Sequence, residues 1–415
     1  MMTPGTQNLM TMEAMAETGL RPAEDTHVSS LSYAVFDNLE SAESTWRAFE
    51  DGGVLTPYQR FDWVRNYCAA GFDQRPGRIA VLSIADGARP IALLPLRIVS
   101  RFGLRVARLI GMSISNSDSL IYDPAYRDRL TPDVLRRAFA ALAGSGYPVD
   151  LVCFNDLVPD WQGRPNPLLA FRHAPAPSHL YMGRLDRPVE DTLDRKRRSN
   201  LRRGIRRLEE LFGPVQLRQA RTPEEVDAFE ETFFQHRTRR FREMGVRNVF
   251  GTPEFRRFYR QLARDSLGAD RPALRIHALF AGEEIVAMSF GAYCGRHYTQ
   301  QINSTTSGEA AKYSLTGVML MLLLEELRSE GITSFDLGLG DFDYKTDWTS
   351  PVVVHDAVIP VSLRGMIAAP GLMAARRLKR LIKQNPALWR IARGVLSLQA
   401  GLAAPKPSPQ PPGQA

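Results

Sequence analysis

Residues Gly338 to Trp348 read GLGDFDYKTDW and gather glycines, aspartates and a Tyr-Lys pair in one short segment. The segment follows an apolar run ending at Phe335-Asp336-Leu337 that reads as a strand. Its polar groups therefore fall at the carboxyl end of that strand, where α/β folds gather their sites. Lys345 can hold a phosphate or stabilise an oxyanion, and Asp341 or Asp343 can orient an amine or act as a base. With Tyr344 beside them, Lys345 and Asp341 are the catalytic candidates. The alternative is a turn with aspartate caps and a surface lysine.

Two further segments carry binding chemistry. Tyr313-Ser314-Leu315-Thr316-Gly317 opens an apolar helical run. Ser314 and Thr316 can cap, Gly317 lets backbone N–H groups approach a ligand, and a helix N-terminus suits a pyrophosphate. A plain helix cap is the competing reading. Between Leu193 and Phe212, the stripe Leu201, Ile205, Leu208 and Phe212 marks one buried helix face, while eight Lys/Arg crowd the others. Like charges four residues apart, such as Arg198 with Arg202, destabilise a helix, so an anionic partner is one explanation. A solvated face neutralised by Asp191, Asp194, Glu209 and Glu210 is the other. His297 is a lone histidine in an expected strand and His236 sits on a helix face; such residues are mostly structural. No phosphate-loop, serine-elbow, zinc-protease or dinucleotide motif occurs in a strand-to-helix setting.

Composition narrows the class. The three cysteines (Cys68, Cys153, Cys294) are far apart, which excludes a disulfide framework and a recognisable zinc site and fits a reducing cytoplasm. No metal is expected. No stretch is long and apolar enough to span a bilayer, and the first residues lack the pattern of a secretory signal. The net charge of +8 is uneven: from Ala357 onward there are nine Lys/Arg and no acid, against 44 basic and 45 acidic residues before it. A near-neutral body argues against DNA as partner. The basic apolar stretch from Gly371 to Leu398, interrupted at Pro386, either lies on an anionic membrane surface or packs on the body.

The elements that must position these residues repeat along the chain. Ile79 to Ile98 and Leu274 to Tyr293 each read as a hairpin around a Gly turn, and each is followed by a helix, a Gly (Gly146, Gly331) and a strand. Helices precede both hairpins, with Thr222-Pro223 and Thr252-Pro253 as N-cap and first-turn pairs. The expected fold is α/β with mixed sheets, in two tandem units. We divide it into a disordered leader (1–30), a first unit (31–180), a second unit (181–363), basic amphipathic helices (364–400) and a Pro-rich disordered tail (401–415).

The ordered set LDRKRRSNLRRGIRRLEELFGPV, HRTRRFREMG, AGEEIVAMSFGAY, YSLTG and DLGLGDFDYKTDW, with PYQRFDWVRNY, ALLPLR and NSDSLIYDP ahead of it, resembles the cellulose-biosynthesis acetyltransferases (CelD/BcsL-like) of the GNAT superfamily. The resemblance spans about residues 33 to 350 and departs from the family at Leu315-Thr316-Gly317, where Ser-Pro-Gly is usual. It implies two tandem GNAT-like acyltransferase units and transfer of an acyl group, acetyl above all, from acyl-CoA to an amine or hydroxyl of an envelope or polysaccharide acceptor. Ser314, Thr316, Gly317 and Asn303 would then hold the donor, backbone N–H groups from Gln300 to Asn303 would polarise its carbonyl, and Arg198 and Arg202 would hold an anionic donor or acceptor. A more distant likeness to Fem-type peptidyltransferases implies aminoacyl-tRNA as the alternative donor. A non-catalytic scaffold held at the inner membrane face is the third reading; otherwise the chain is expected to be cytoplasmic.

Overall fold

The computed structural model describes residues 31–72, 77–245, 248, 250–385 and 387–390. The expected leader, the Pro-rich tail, residues 391–400 and the Pro386 break lie outside them. The first half runs β1 (Leu31–Phe36), α1 (Glu43–Gly52), α2 (Phe61–Ala70), β2 (Gly77–Asp86), β3 (Arg89–Arg101), β4 (Leu104–Leu109), α3 (Pro132–Gly144), β5 (Leu151–Leu157) and β6 (His173–Arg184). The second runs α4 (Arg195–Phe212), β7 (Val215–Gln219), α5 (Pro223–Glu243), α6 (Pro253–Asp265), β8 (Leu274–Ala281), β9 (Glu284–Cys294), β10 (His297–Thr305), α7 (Leu315–Ser329), β11 (Ser334–Leu339) and β12 (Ser350–Pro360). A last helix, α8 (Leu363–Gln384), follows.

Each half repeats one pattern, a four-strand antiparallel meander whose final strand runs parallel to the strand after a helix: β4 beside β5, β10 beside β11. The hairpins turn at Gly87 and Gly282, both at positive φ, and α3 and α7 end near Gly146 and Gly331 in the left-handed conformation. All strands named join one 13-stranded sheet in the order β1-β2-β3-β4-β5-β12-β6-β11-β10-β9-β8-β7; the short strand Ile121–Tyr122 pairs with β3 to complete the count. At the centre the halves trade strands. β6 follows β5 in the chain yet pairs with β11, and β12 follows β11 yet pairs with β5. The exchanged strands also pair with each other.

One apolar cluster crosses the junction, with Trp63 of α2 edge-on to Phe258 of α6 at 4.9 Å. Buried Arg60 adds a polar tie: its guanidinium pairs with Glu50 and donates to the carbonyls of Arg271, Pro272 and Tyr293. On the opposite face α8 packs on β6 and β12 by a narrow apolar stripe set against Val106, Leu151, Cys153, Ala174 and Val358. Gly365, Ala369 and Met373 make its close contacts, and Arg376 and Arg380 reach inward to the carbonyls of Phe154, Ala357 and Ala176. β12 is irregular there, with register shifts on both sides of His355, so the arginines satisfy carbonyls in an interrupted ladder. Leu363, Met366, Ile367, Leu378 and Leu381 remain exposed.

Of the N-caps expected from sequence, Thr222 makes a full capping box with Glu225, and Asp194 also caps α4 by accepting from the Arg197 N–H. Thr252 makes no side-chain cap bond. α5 is fastened to α6 by Glu230, whose side chain is fully buried and faces Arg256 as a two-pronged pair, with Arg260 on its second oxygen. Glu230→Ala removes a fully desolvated partner of two charged hydrogen-bonding groups. We expect a loss of about 2–3 kcal/mol, read as a lowered denaturation midpoint.

Candidate active site

The carboxylate of Asp336 lies where β10 and β11 part. The two strands pair only at His297–Ser334, Tyr298–Phe335 and Thr299–Asp336. Asp336 is fully buried; it accepts from Thr299 Oγ1 (2.5 Å) and the Gly338 N–H (2.8 Å), and it bonds His297 Nε2 (2.9 Å). His297 Nδ1 bonds Ser334 Oγ at 2.8 Å, and its ring packs on Trp161. Both ring nitrogens are thus occupied at the closed end of the strand pair, so this histidine is structural. Past Asp336, β11 bends at Gly338 (φ +73°), and β10 carries Gln300 to Thr305 away from it.

A cavity of about 1130 Å³ fills the opening. Its walls are the diverging strands, α5 and the first-half loop at Met112 to Asn116. A recess of about 430 Å³ at the N-terminus of α7 adjoins it and shares His236, Arg240, Thr305 and Thr316 with it. The first half is held in place by Tyr58, whose hydroxyl accepts from Asn116 and Gln301. Gln301 stands at a bulge between β9 and β10, which frees its side chain for this contact. Gly338 permits the approach: a Cβ there would stand 3.0 Å from Asn116 Nδ2.

Several residues singled out from sequence meet here. Lys345 is buried on the cavity wall, and its Nζ donates to the carbonyls of Gly338 (3.0 Å) and Leu339 (2.9 Å), with the Tyr181 and Phe342 rings 5.3 Å away. Desolvation pushes its ammonium down to about 8. Tyr344 lines the cavity and bonds the Asn303 side chain; burial raises its phenol. Ser314, Thr316 and Gly317 line the recess. Ser314 is left-handed (φ +51°), makes no side-chain cap, and its carbonyl receives the Gly317 and Val318 N–H groups. The first-turn N–H groups of α7 that precede these have no intrahelical acceptor.

Others stand apart. Asp341 does not line the cavity; it bonds His179 Nδ1 (2.8 Å), Tyr181 and Gln384. Burial alone would raise its carboxyl, but the His179 and Gln384 bonds outweigh it and hold it below the usual range. Arg198 faces Asp191 at 3.7 Å and Arg202 pairs with Glu190, both on the outer side of α4. Arg197 is the member of that cluster at the recess: it pairs with Asp347 at 3.0 Å, and its guanidinium lies 2.7 Å from where a Gly317 Cβ would stand.

The sequence reading missed the contributions of α5 and of the first half. His236 and Arg240 are one helical turn apart and line both cavity and recess, and that i,i+4 spacing within QHRTRR was the available signal. Asp156 lines the cavity from β5 in a left-handed conformation (φ +49°), and with Asp118 and Asp356 it forms a carboxyl group cluster. Desolvation pushes Asp156 up to about 8 and Asp118 up to about 7 and raises Asp356, so Asp156 adds little negative charge to the wall at neutral pH. The electrostatics of the cavity are therefore set by cations. Among the described residues no cluster of three or more His, Cys, Asp or Glu side chains could hold a metal ion.

A family profile described as acetyltransferase (GNAT) domain matches residues 195–346. No curated protein matches the chain. Among solved structures, FemX is similar at 10% identity with a TM-score of 0.56, over 79% of this chain and 97% of that one. A conserved protein of unknown function from Bacteroides thetaiotaomicron VPI-5482 is similar at 12% identity with a TM-score of 0.50, over 79% and 99% respectively. At these identities the likeness is one of fold. Residues 195–346 are similar to a GNAT acetyltransferase domain, within an α/β fold whose two halves repeat one GNAT-like pattern in tandem.

Proposed function

We propose that the chain transfers an acyl group from acyl-CoA to an amine or hydroxyl, with the donor entering over the α7 N-terminus and the reacting carbonyl lying between β10 and β11. The observation that carries this reading is the joining of two features: a helix N-terminus flanked by Arg197 and Arg240, and a cavity opened by the parting of two parallel strands. The first suits a pyrophosphate, through unpaired N–H groups and the positive end of the helix dipole. The second accommodates an extended thioester arm beside backbone left without ladder partners. The acceptor attacks the thioester carbon directly, the C–S bond breaks, and CoA leaves as the thiol. Lys345 is the side chain for stabilising negative charge on the carbonyl oxygen, with backbone groups near Asn303 and the Tyr344 hydroxyl beside it. Asp341, held as a carboxylate by His179 and Gln384 outside the cavity, suits proton abstraction poorly. Aminoacyl-tRNA fits less well as donor, because Arg198 and Arg202 on the outer face of α4 are matched by acids.

Acetyl-CoA titrated calorimetrically into the wild type should bind in the micromolar range. Gly317→Ala should weaken that binding about tenfold, because the added methyl meets the buried Leu201 and pushes Arg197 from its place at the recess. Absence of acyl-CoA binding by the wild type would overturn the reading. Lys345→Ala should lower kcat roughly 100-fold with KM changed little. If the protonated amine is the active form, kcat falls as pH rises through about 8, and Lys345→Arg moves that fall to higher pH. A kcat unaltered in Lys345→Ala would remove the lysine from the chemistry.

A further inference from the structure

Among the described residues Arg237 is a cavity cation with no carboxylate partner. It projects from α5, donates through Nη1 to the Asn303 carbonyl at 2.7 Å, and sets its guanidinium carbon over Phe250 (4.3 Å from the ring centroid) and Phe241 (5.1 Å). Its Nε is buried and has no hydrogen-bond partner. No carboxylate among the described residues pairs with it; besides burial, the Tyr259 phenol and the like-charged Arg240 are the side chains that act on it. Other well-packed arginines are matched: Arg60 by Glu50, Arg197 by Asp347, Arg256 by Glu230.

A half-buried guanidinium without a counter-ion is costly, and here desolvation pushes it down to about 10. Contact with the Phe250 and Phe241 rings restrains it and leaves donors free for a planar or tetrahedral anion. Nothing on the cavity wall supplies that anion, since Asp156 is held toward its neutral form. The donor's phosphates have their own cations in the recess, Arg197 and Arg240, one turn further along α5 from Arg237.

We infer that the acyl acceptor is itself an anion, and that Arg237 binds its carboxylate or phosphate group within the cavity between the two halves. The inference rests on the acyl-transfer reading for the role of the bound molecule, while the anion site stands on the geometry of Arg237. Recognition by a single oriented guanidinium makes acidic amines and sugar phosphates the favoured acceptors and their neutral counterparts poor ones.

The test is calorimetric titration of the full chain, with and without saturating CoA, using matched probes: amino acids against their primary amides, and glucosamine 6-phosphate against glucosamine. The anionic member of at least one pair should bind about tenfold or more tightly in the wild type, and Arg237→Gln should bring the pair level. Arg237→Lys should retain part of the difference. No separation of any pair in the wild type, where folding is not in question, overturns the inference, as does a separation that survives Arg237→Gln in a folded variant. Dephospho-CoA distinguishes the source of the anion. If Arg237→Gln weakens CoA but not dephospho-CoA, the guanidinium serves the donor's 3′-phosphate and the acceptor assignment fails. Failure of CoA to bind at all would count against the acyl-transfer reading, while the titration without CoA still reports on Arg237.

Discussion

Burying the Asp336 carboxylate between two strands requires donors, and supplying them ends the strand pairing. Thr299, His297 and the Gly338 N–H all turn toward it, and the last of these is a backbone group diverted from the ladder. A carboxylate in a dry site is tolerated when its lone pairs are met in this way. The consequence is local and directional. Below Asp336 the sheet is closed by His297 and Trp161; above it β10 and β11 separate, and a cavity forms that no alternation of apolar side chains fills. Lys345 then meets two carbonyls that the separation exposes, so the same event that opens the site fixes a cation at its edge.

The cavity is finished by the other half of the molecule. Tyr58 reaches it because Arg60, two residues on, is locked onto carbonyls of the second half. Asn116 reaches it because Gly338 lacks a side chain. The first half thus contributes a wall and the Asp156 carboxyl, which burial pushes up, while the second contributes the open N–H groups of the α7 N-terminus and the cations.

Much of this was legible in the sequence where the signal is local. Hairpins closing at Gly87 and Gly282, helix ends at Gly146 and Gly331, the caps at Asp194 and Thr222 and the helix start at Ser314 are each written in a few adjacent residues. Helical periodicity also identified the buried stripe of α4. It did not tell Arg197 from Arg198 or Arg202, because which of several like cations meets the recess depends on where α7 docks. Arg237 was hidden for the same reason in a run of arginines. α8 packs on the body, one of the two readings its sequence allowed, but that Arg376 and Arg380 turn inward to carbonyls of three strands is a demand set by pairing between distant segments. β6 and β12 look like ordinary strands of their own repeats, since pairing partners leave no mark on composition.

The exchange of β6 and β12 changes what a repeat means in this chain. Neither half can complete its sheet from its own residues: β5 waits for a strand made about two hundred positions later, and β11 depends on one made long before it. During synthesis the first half must therefore persist with an uncovered central edge until residue 360 has emerged, and such edges invite association with other chains. Loop closure over that distance also slows folding relative to two independent domains of the same size. Two halves built on one pattern therefore make a single cooperative object, in which neither can be removed or replaced without leaving the other's sheet unfinished.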